Sequence, residues 1–319
     1  MIESTTTPAK QRDRVIQTAH AVANRRICRD HYCLTFRLPI FPSARAGQFV
    51  HLCPERRLDD SPMESHDRWV SELDQPMLRR AFSIAGLRRP NADVEVDVIY
   101  RVVGTATRWM ESLRVGDPVS LLGPMGNSFP ISDRKPVAWL VAGGVGLPPM
   151  LWLAAALQET AKRVVAFCGA QTYDLLALTL DPAAQPDRSA KTATPSAKEF
   201  TECGARMVIS TDDGSLGFRG YVGSAMAAYH QANPLGPDEL VVYTCGPEPM
   251  MRFVAEYCVA RRIECYVCVE RNMACGTGMC QSCVVPVRDT TDPAGWSYRL
   301  CCTDGPIFEA RNILWETPR

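Results

Sequence analysis

An antiparallel β-barrel, a parallel α/β layer and a small cysteine-bearing module are expected, in that order along the chain. Three features carry the expectation. Short strand-like runs separated by turn residues recur between about Arg14 and Gly123, as in small barrels. From Pro136 onward, short apolar runs alternate with helix-like stretches, the rhythm of parallel α/β units. After Glu270 the chain places Cys275, Cys280 and Cys283 in a C-x4-C-x2-C spacing, with Cys301 and Cys302 further on. The boundaries read from these changes are a disordered N-terminus at 1–12, a barrel domain at 13–133, an α/β domain at 134–268 and a cysteine module at 269–319.

A length of 319 residues suits two domains and an appendage. The chain is 46% hydrophobic and 22% charged, with a formal net charge of zero. It therefore carries no electrostatic footprint for nucleic acid. The N-terminal stretch has no apolar core of the secretory kind. Fourteen cysteines are many, but a secreted disulfide scaffold is shorter and denser in them. A reducing cytoplasm is expected. Val137–Leu157 carries no charge and is long enough to cross a bilayer, yet Gly143, Gly144, Gly146, Pro148 and Pro149 interrupt it. A buried strand, a glycine turn and a packed helix are expected there, and no membrane span.

Within the barrel region, Cys33–Leu38 and Gln48–Leu52 are rich in strand formers. Val94, Val96 and Val98 alternate with Glu95 and Asp97, as on a half-buried strand. Val119–Leu122 precedes a Gly-Pro turn. The polar stretch 54–76 reads as a surface insertion. In Arg79-Arg80-Ala81-Phe82-Ser83, an Arg with a hydroxyl three residues on suits an anionic ligand. A solvated basic pair at a strand edge is the plainer reading of those residues alone.

In the α/β region, Val137–Val141, Val164–Phe167, Met207–Ile209 and Leu240–Tyr243 are buried-strand candidates. Helical stretches stand at Val222–His230 and Pro249–Arg261. Gly143-Gly144-Val145-Gly146-Leu147-Pro148 follows a strand and opens a helix, a place where backbone amides approach phosphate. It departs from the G-x-G-x-x-G fingerprint, and a tight turn without a ligand is the competing reading. Cys245-Gly246-Pro247-Glu248-Pro249-Met250 repeats the arrangement after another strand. Both loops would lie at the carboxyl ends of strands, where open α/β sheets bind ligands. The stretch 181–198, rich in Ala, Pro, Ser and Thr, reads as a flexible surface loop. No Ser/His/Asp or metal–His grouping is visible, so no catalytic residue is assigned.

Three thiols in one loop and a fourth from a later segment match the plant-type [2Fe–2S] pattern. Structural zinc usually draws its four thiolates from two separate knuckles, which fits less well. Gly276 and Gly278 let the loop bend closely. Cys302 is the expected fourth ligand because it abuts the turn Asp304-Gly305-Pro306. Cys301 would face away if the segment is extended.

The order R-x-x-S, YRVVGTAT, GPMGNSF, GGVGLPP, CGPEPM resembles that of the ferredoxin–NAD(P) reductase superfamily. The tail ERNMACGTGMCQSC…CTDGPIF resembles one branch, the electron-transfer subunits of type B dihydroorotate dehydrogenase (the PyrK family), over roughly Arg14 to Leu314. The resemblance implies FAD held by Arg80, Ala81, Phe82 and Ser83, with Arg80 on the pyrophosphate. Ile99, Tyr100 and Arg101 would line the flavin's far side. Ala106 and Thr107 stand where the family has Gly-Thr. Gly143, Gly144 and Gly146, with Cys245, Gly246 and Pro247, would form the site for NAD as a diffusible substrate. Cys275, Cys280, Cys283 and Cys302 would ligate the [2Fe–2S] cluster, and the rim near Met279 and Gln281 would be the docking face. The implied partner is an FMN-containing catalytic subunit, in a heterotetramer, with pyrimidine biosynthesis as the setting. A reductase subunit of ferredoxin:NADP⁺ transhydrogenase or sulfhydrogenase type is the alternative, and a non-catalytic redox sensor the alternative of another class. The stretch Cys168–Asp174 holds no basic residue for a 2′-phosphate, so NAD is expected over NADP.

Overall fold

The computed structural model describes residues 14–55, 78–131 and 133–317. The expected N-terminal disorder, and the insertion from residue 56 on, lie outside the described residues.

Six strands close the barrel: β1 (Val15–Cys28), β2 (His31–Leu38), β3 (Phe49–Pro54), β4 (Arg80–Arg88), β5 (Val94–Arg101) and β6 (Pro118–Met125). Their order around it is β1-β2-β5-β4-β3-β6, and the observed pairings are antiparallel. The alternation in β5 does what its sequence indicates. Val94, Val96, Val98 and Tyr100 point into the barrel core, and the residues between them are half-buried. A helix, α1 (Thr105–Ser112), follows β5.

The second sheet has seven strands: β7 (Val137–Gly143), β8 (Arg163–Ala170), β9 (Arg206–Thr211), β10 (Phe218–Arg219), β11 (Leu240–Cys245), β12 (Glu264–Cys268) and, beyond the hairpin named below, β15 (Ile307–Glu309). Its order is β10-β9-β8-β7-β11-β12-β15, parallel except for β15. Strand β7 sits in the middle and is buried throughout, as a parallel strand covered on both faces must be. Val137, Trp139 and Val141 enter one core, and Ala138, Leu140 and Ala142 the other. Helix α2 (Leu147–Gln158) and the short α3 (Lys198–Thr201) cover one face. Helices α4 (Val222–Ala232) and α5 (Glu248–Ala260) cover the other. No helix among the described residues is long and apolar enough to cross a membrane.

The stretch 181–198 corrects the expectation of a flexible loop. The Asp187 carboxylate accepts bonds from the Ser189, Lys191 and Thr192 amides and the Ser189 hydroxyl. Bridges join Leu180 to Ala197 and Thr194 to Met207, and Ala190, Ala193 and Ala197 are buried. Composition alone did not reveal that one carboxylate organises the turn.

The cysteine module carries a two-stranded hairpin, β13 (Val284–Arg288) and β14 (Trp296–Leu300), and returns to the large sheet through β15. Asn127, in the loop leaving β6, ties the module to the barrel. Its side-chain amide donates to the carbonyls of Asp304 and Ile307, both at 2.8 Å, and its carbonyl accepts from the Ile307 amide at 2.9 Å.

Candidate functional site

A cavity of about 1350 Å³ runs between the barrel and the carboxyl ends of the parallel strands. It exceeds the usual volume of a single-ligand pocket, about 300–1,000 Å³. Ala81, Phe82 and Ser83 of β4, Ile99, Tyr100 and Arg101 of β5, and Thr107 of α1 line its barrel side. Gly143, Gly144 and Pro247 line the other side.

Arg80, Ala106, Gly146, Cys245 and Gly246 do not line the cavity. Arg80 is exposed, and among the described residues its guanidinium donates only to the carbonyls of Leu78 and Arg79. Arg79 is engaged inward, on the Ser120 carbonyl at 3.0 Å and hydroxyl at 2.7 Å. Of the two arginines, Arg80 therefore keeps donors to offer a ligand. Arg101 brings a second guanidinium, and its buried Nε has no partner among the described residues. Tyr100 is fixed by stacking on Tyr32 at 5.7 Å and by a bond to Asn24 at 3.2 Å. The Thr107 hydroxyl closes the start of α1, bonding to the amides of Val103 and Gly104 and the Gly104 carbonyl. Ala106 is off the wall.

Gly146, Cys245 and Gly246 hold together the loops that follow β7 and β11. A Cβ on Gly146 would stand 2.1 Å from the Cys245 carbonyl oxygen. Gly246 has φ +151°, and a Cβ there would lie 2.8 Å from the Gly143 carbonyl. Glycine is needed because backbone meets backbone at this point. Cys245 is 1% exposed, and the neighbouring Cys268, which does reach the cavity, raises its thiol well above the usual range. Glu270, also on the wall, is solvent-exposed, and desolvation by the protein around its carboxyl raises it above the usual range.

The cysteine loop bends through Gly276 (φ +71°) and Gly278 (φ +90°). The Cys275 sulfur accepts amide bonds from Thr277 and Cys280, both at 3.4 Å. The Cys280 amide leads in lowering the Cys275 thiol to about 6, although desolvation opposes it. The Cys302 amide donates to the Cys283 sulfur at 3.4 Å. Burial, then the Cys283 thiol, pushes Cys302 up to about 12. These backbone bonds associate Cys275 with Cys280 and Cys283 with Cys302. Among the described residues, no three His, Cys, Asp or Glu side chains converge as a single-ion site would require. Two pairs fit two irons, each needing two protein thiolates, better than one tetrahedral zinc.

The extended geometry expected for Cys301 and Cys302 is corrected. Strand β14 ends at Leu300, and both cysteines lie in a turn. The Leu300 carbonyl gathers the amides of Thr303, Asp304 and Gly305, while the Asp304 carboxylate accepts from the Leu300 amide. Cys301 is directed away by this turn, and its thiol donates to the Val269 carbonyl at 3.2 Å.

Sequence reasoning missed His51. It is 0% exposed on β3, and neither ring nitrogen has a partner among the described residues. Burial, then the charges of Arg79 and Arg80, lowers its imidazole to about 4. A lone histidine in QFVHL looks like core.

Two family models match the chain. The iron–sulfur cluster binding domain of dihydroorotate dehydrogenase B matches residues 270–314, and the oxidoreductase NAD-binding domain matches 140–256. The chain is 31% identical over 270 residues to the "dihydroorotate dehydrogenase B (NAD(+)), electron transfer subunit" of Bacillus mycoides (strain KBAB4), covering 84% of this chain and 86% of that one. The protein of the same name from Bacillus cereus (strain AH187) is 30% identical over 271 residues, with the same coverage. Among solved structures, an NADH-dependent reduced ferredoxin-NADP oxidoreductase superposes with TM-score 0.71 at 23% identity, covering 93% of this chain and 90% of that chain. A ferredoxin reductase of carbazole 1,9a-dioxygenase gives TM-score 0.56 at 21% identity, covering 78% and 67%. At these identities the structural likeness shows the fold alone, a closed antiparallel barrel joined to a parallel α/β sheet.

Proposed function

The chain belongs to the family of dihydroorotate dehydrogenase B electron transfer subunits, and from that membership we propose that it carries electrons from dihydroorotate oxidation to NAD⁺ in pyrimidine biosynthesis. The observation that carries the reading is the placement of the cysteine loop. Gly276 lies against His51 of β3, and His51 pairs with Ala81, which lines the large cavity. A cluster bound in the loop and a flavin bound in the cavity would be separated by little more than one strand.

A nicotinamide carries two electrons as hydride, a [2Fe–2S] cluster carries one at a time, and FAD exchanges in both modes. The chain's own residues bind and orient. Cys275, Cys280, Cys283 and Cys302 hold the cluster, with the Thr277 and Cys280 amides stabilising thiolate charge. Arg80 and Arg101 offer guanidinium donors to the FAD, and Phe82 and Tyr100 shape its wall. Gly143, Gly144, Gly146, Gly246 and Pro247 let NAD approach the sheet. Met279, 85% exposed beside the cluster loop, stands on the face offered to the FMN catalytic subunit. The fourteen cysteines are all free, which suits a reducing cytoplasm.

Purified chain is expected to hold about one FAD, two irons and two acid-labile sulfides. Stoichiometric zinc without sulfide would contradict the reading. Arg80→Ala should weaken FAD binding by about 1.5–3 kcal/mol, the usual range for a bond to a charged group, or roughly ten- to a hundredfold. Lys should restore little of it, because a point charge does not reproduce the fork. Full flavin retention on dilution of Arg80→Ala would remove that role. Flavin loss in Arg79→Ala alone would move it to the neighbour.

A further inference from the structure

We propose that His51 donates a ring N–H to a sulfur of the cluster, either a bridging sulfide or the Cys275 thiolate, and thereby raises the cluster's reduction potential. The inference rests on the functional reading above and adds a residue to it.

The ring is wholly buried, and both nitrogens lack partners among the described residues. A neutral imidazole always presents one N–H. Leaving a buried donor unsatisfied is costly, so such a group calls for a reason. The position supplies one. A Cβ on Gly276 would fall 2.6 Å from the ring's Cε1, 2.9 Å from Nε2 and 3.0 Å from Nδ1. The nitrogen-bearing edge therefore faces the backbone between Cys275 and Thr277, and the missing side chain leaves room for that approach. The opposite strand of the pair carries Ala81, on the flavin cavity. His51 thus stands on the line between the two cofactor sites. The sulfurs of a bound cluster are anionic acceptors. A donor to them favours the reduced cluster, which carries one more negative charge, and hydrogen bonding to sulfur is among the terms that set these potentials.

The test is a redox titration of the cluster's EPR signal in the FAD- and iron-replete chain. His51→Phe keeps a planar apolar ring and removes the donor. It should shift the reduction equilibrium about tenfold toward the oxidised cluster, which is about 59 mV for a one-electron couple. His51→Gln, which retains a donor, should move the potential back toward the parent value. An unchanged potential in His51→Phe, or a shift confined to the flavin, overturns the inference while the functional reading stands. If His51→Phe fails to keep its cluster, pulsed EPR on ¹⁵N-histidine-labelled parent protein decides. A histidine nitrogen coupled to the reduced cluster, and absent in His51→Gln, supports the proposal; no coupling in the parent overturns it. A parent chain that shows no [2Fe–2S] signal after reconstitution with iron and sulfide would remove the functional reading itself.

Discussion

Cys302→Ser should abolish the cluster and spare the flavin. Cys302 is 1% exposed, and its amide bonds to the Cys283 sulfur. Burial raises its thiol to about 12, and coordination to a metal deprotonates a thiol. A serine alcohol at this buried place is a far poorer ligand, so iron and sulfide should fall from two each per chain toward zero. FAD content and NADH-dependent dye reduction should stay near the parent level, because the cavity between barrel and sheet does not include Cys302. Cys301→Ser is the control. Its thiol is already a hydrogen-bond donor, to the Val269 carbonyl, and a serine hydroxyl keeps that bond. Iron analysis of the two variants side by side checks the assignment. A bleached Cys301→Ser with an intact Cys302→Ser would reverse it.

Gly146→Ala should be the most damaging single methyl in the nucleotide half. The added Cβ would meet the Cys245 carbonyl oxygen at 2.1 Å, its carbon at 2.3 Å and the Gly246 nitrogen at 2.5 Å. All three are backbone atoms where β11 ends and the loop to α5 begins, so no side chain can rotate aside. Overpacking of this kind typically costs about 1–3 kcal/mol, and a backbone obstacle places this case at the upper end. The displaced loop also carries Pro247, on the cavity wall. The KM for NADH should therefore rise at least tenfold while flavin content holds, and Tm should fall by several degrees. Gly144→Ala gives the contrast. A Cβ there meets nothing within 4 Å, and only its φ of +53° opposes the change, at about 1–2 kcal/mol. Its effect on NADH should be smaller. Equal KM values for the two variants would mean that the close approach of the loops is not what shapes the site.

What was legible in the sequence had a strong local signature. Strand β5 showed its inward valines by alternation, and β7 its double burial by an unbroken apolar run. The cysteine spacing located the loop that the structure folds around paired thiols. What was not legible depended on distant partners. Strand β1, which no run singled out in the sequence, closes the barrel against β2 and β6. Asn127 joins barrel to module across a sequence distance no pattern spans. The turn after Leu300 replaced an extended segment because the Asp304 carboxylate caps it. His51 became a candidate only when Gly276 was seen against it.

The most direct test is dihydroorotate-dependent reduction of NAD⁺, followed anaerobically as NADH formation in a reconstituted complex of this chain with an FMN-containing dihydroorotate dehydrogenase catalytic subunit. The account predicts NADH formation by the complex, none by the catalytic subunit alone, and none when the chain carries Cys302→Ser. NADH formation at the parent rate with Cys302→Ser, or its absence with parent chain replete in FAD, iron and sulfide, would contradict the account.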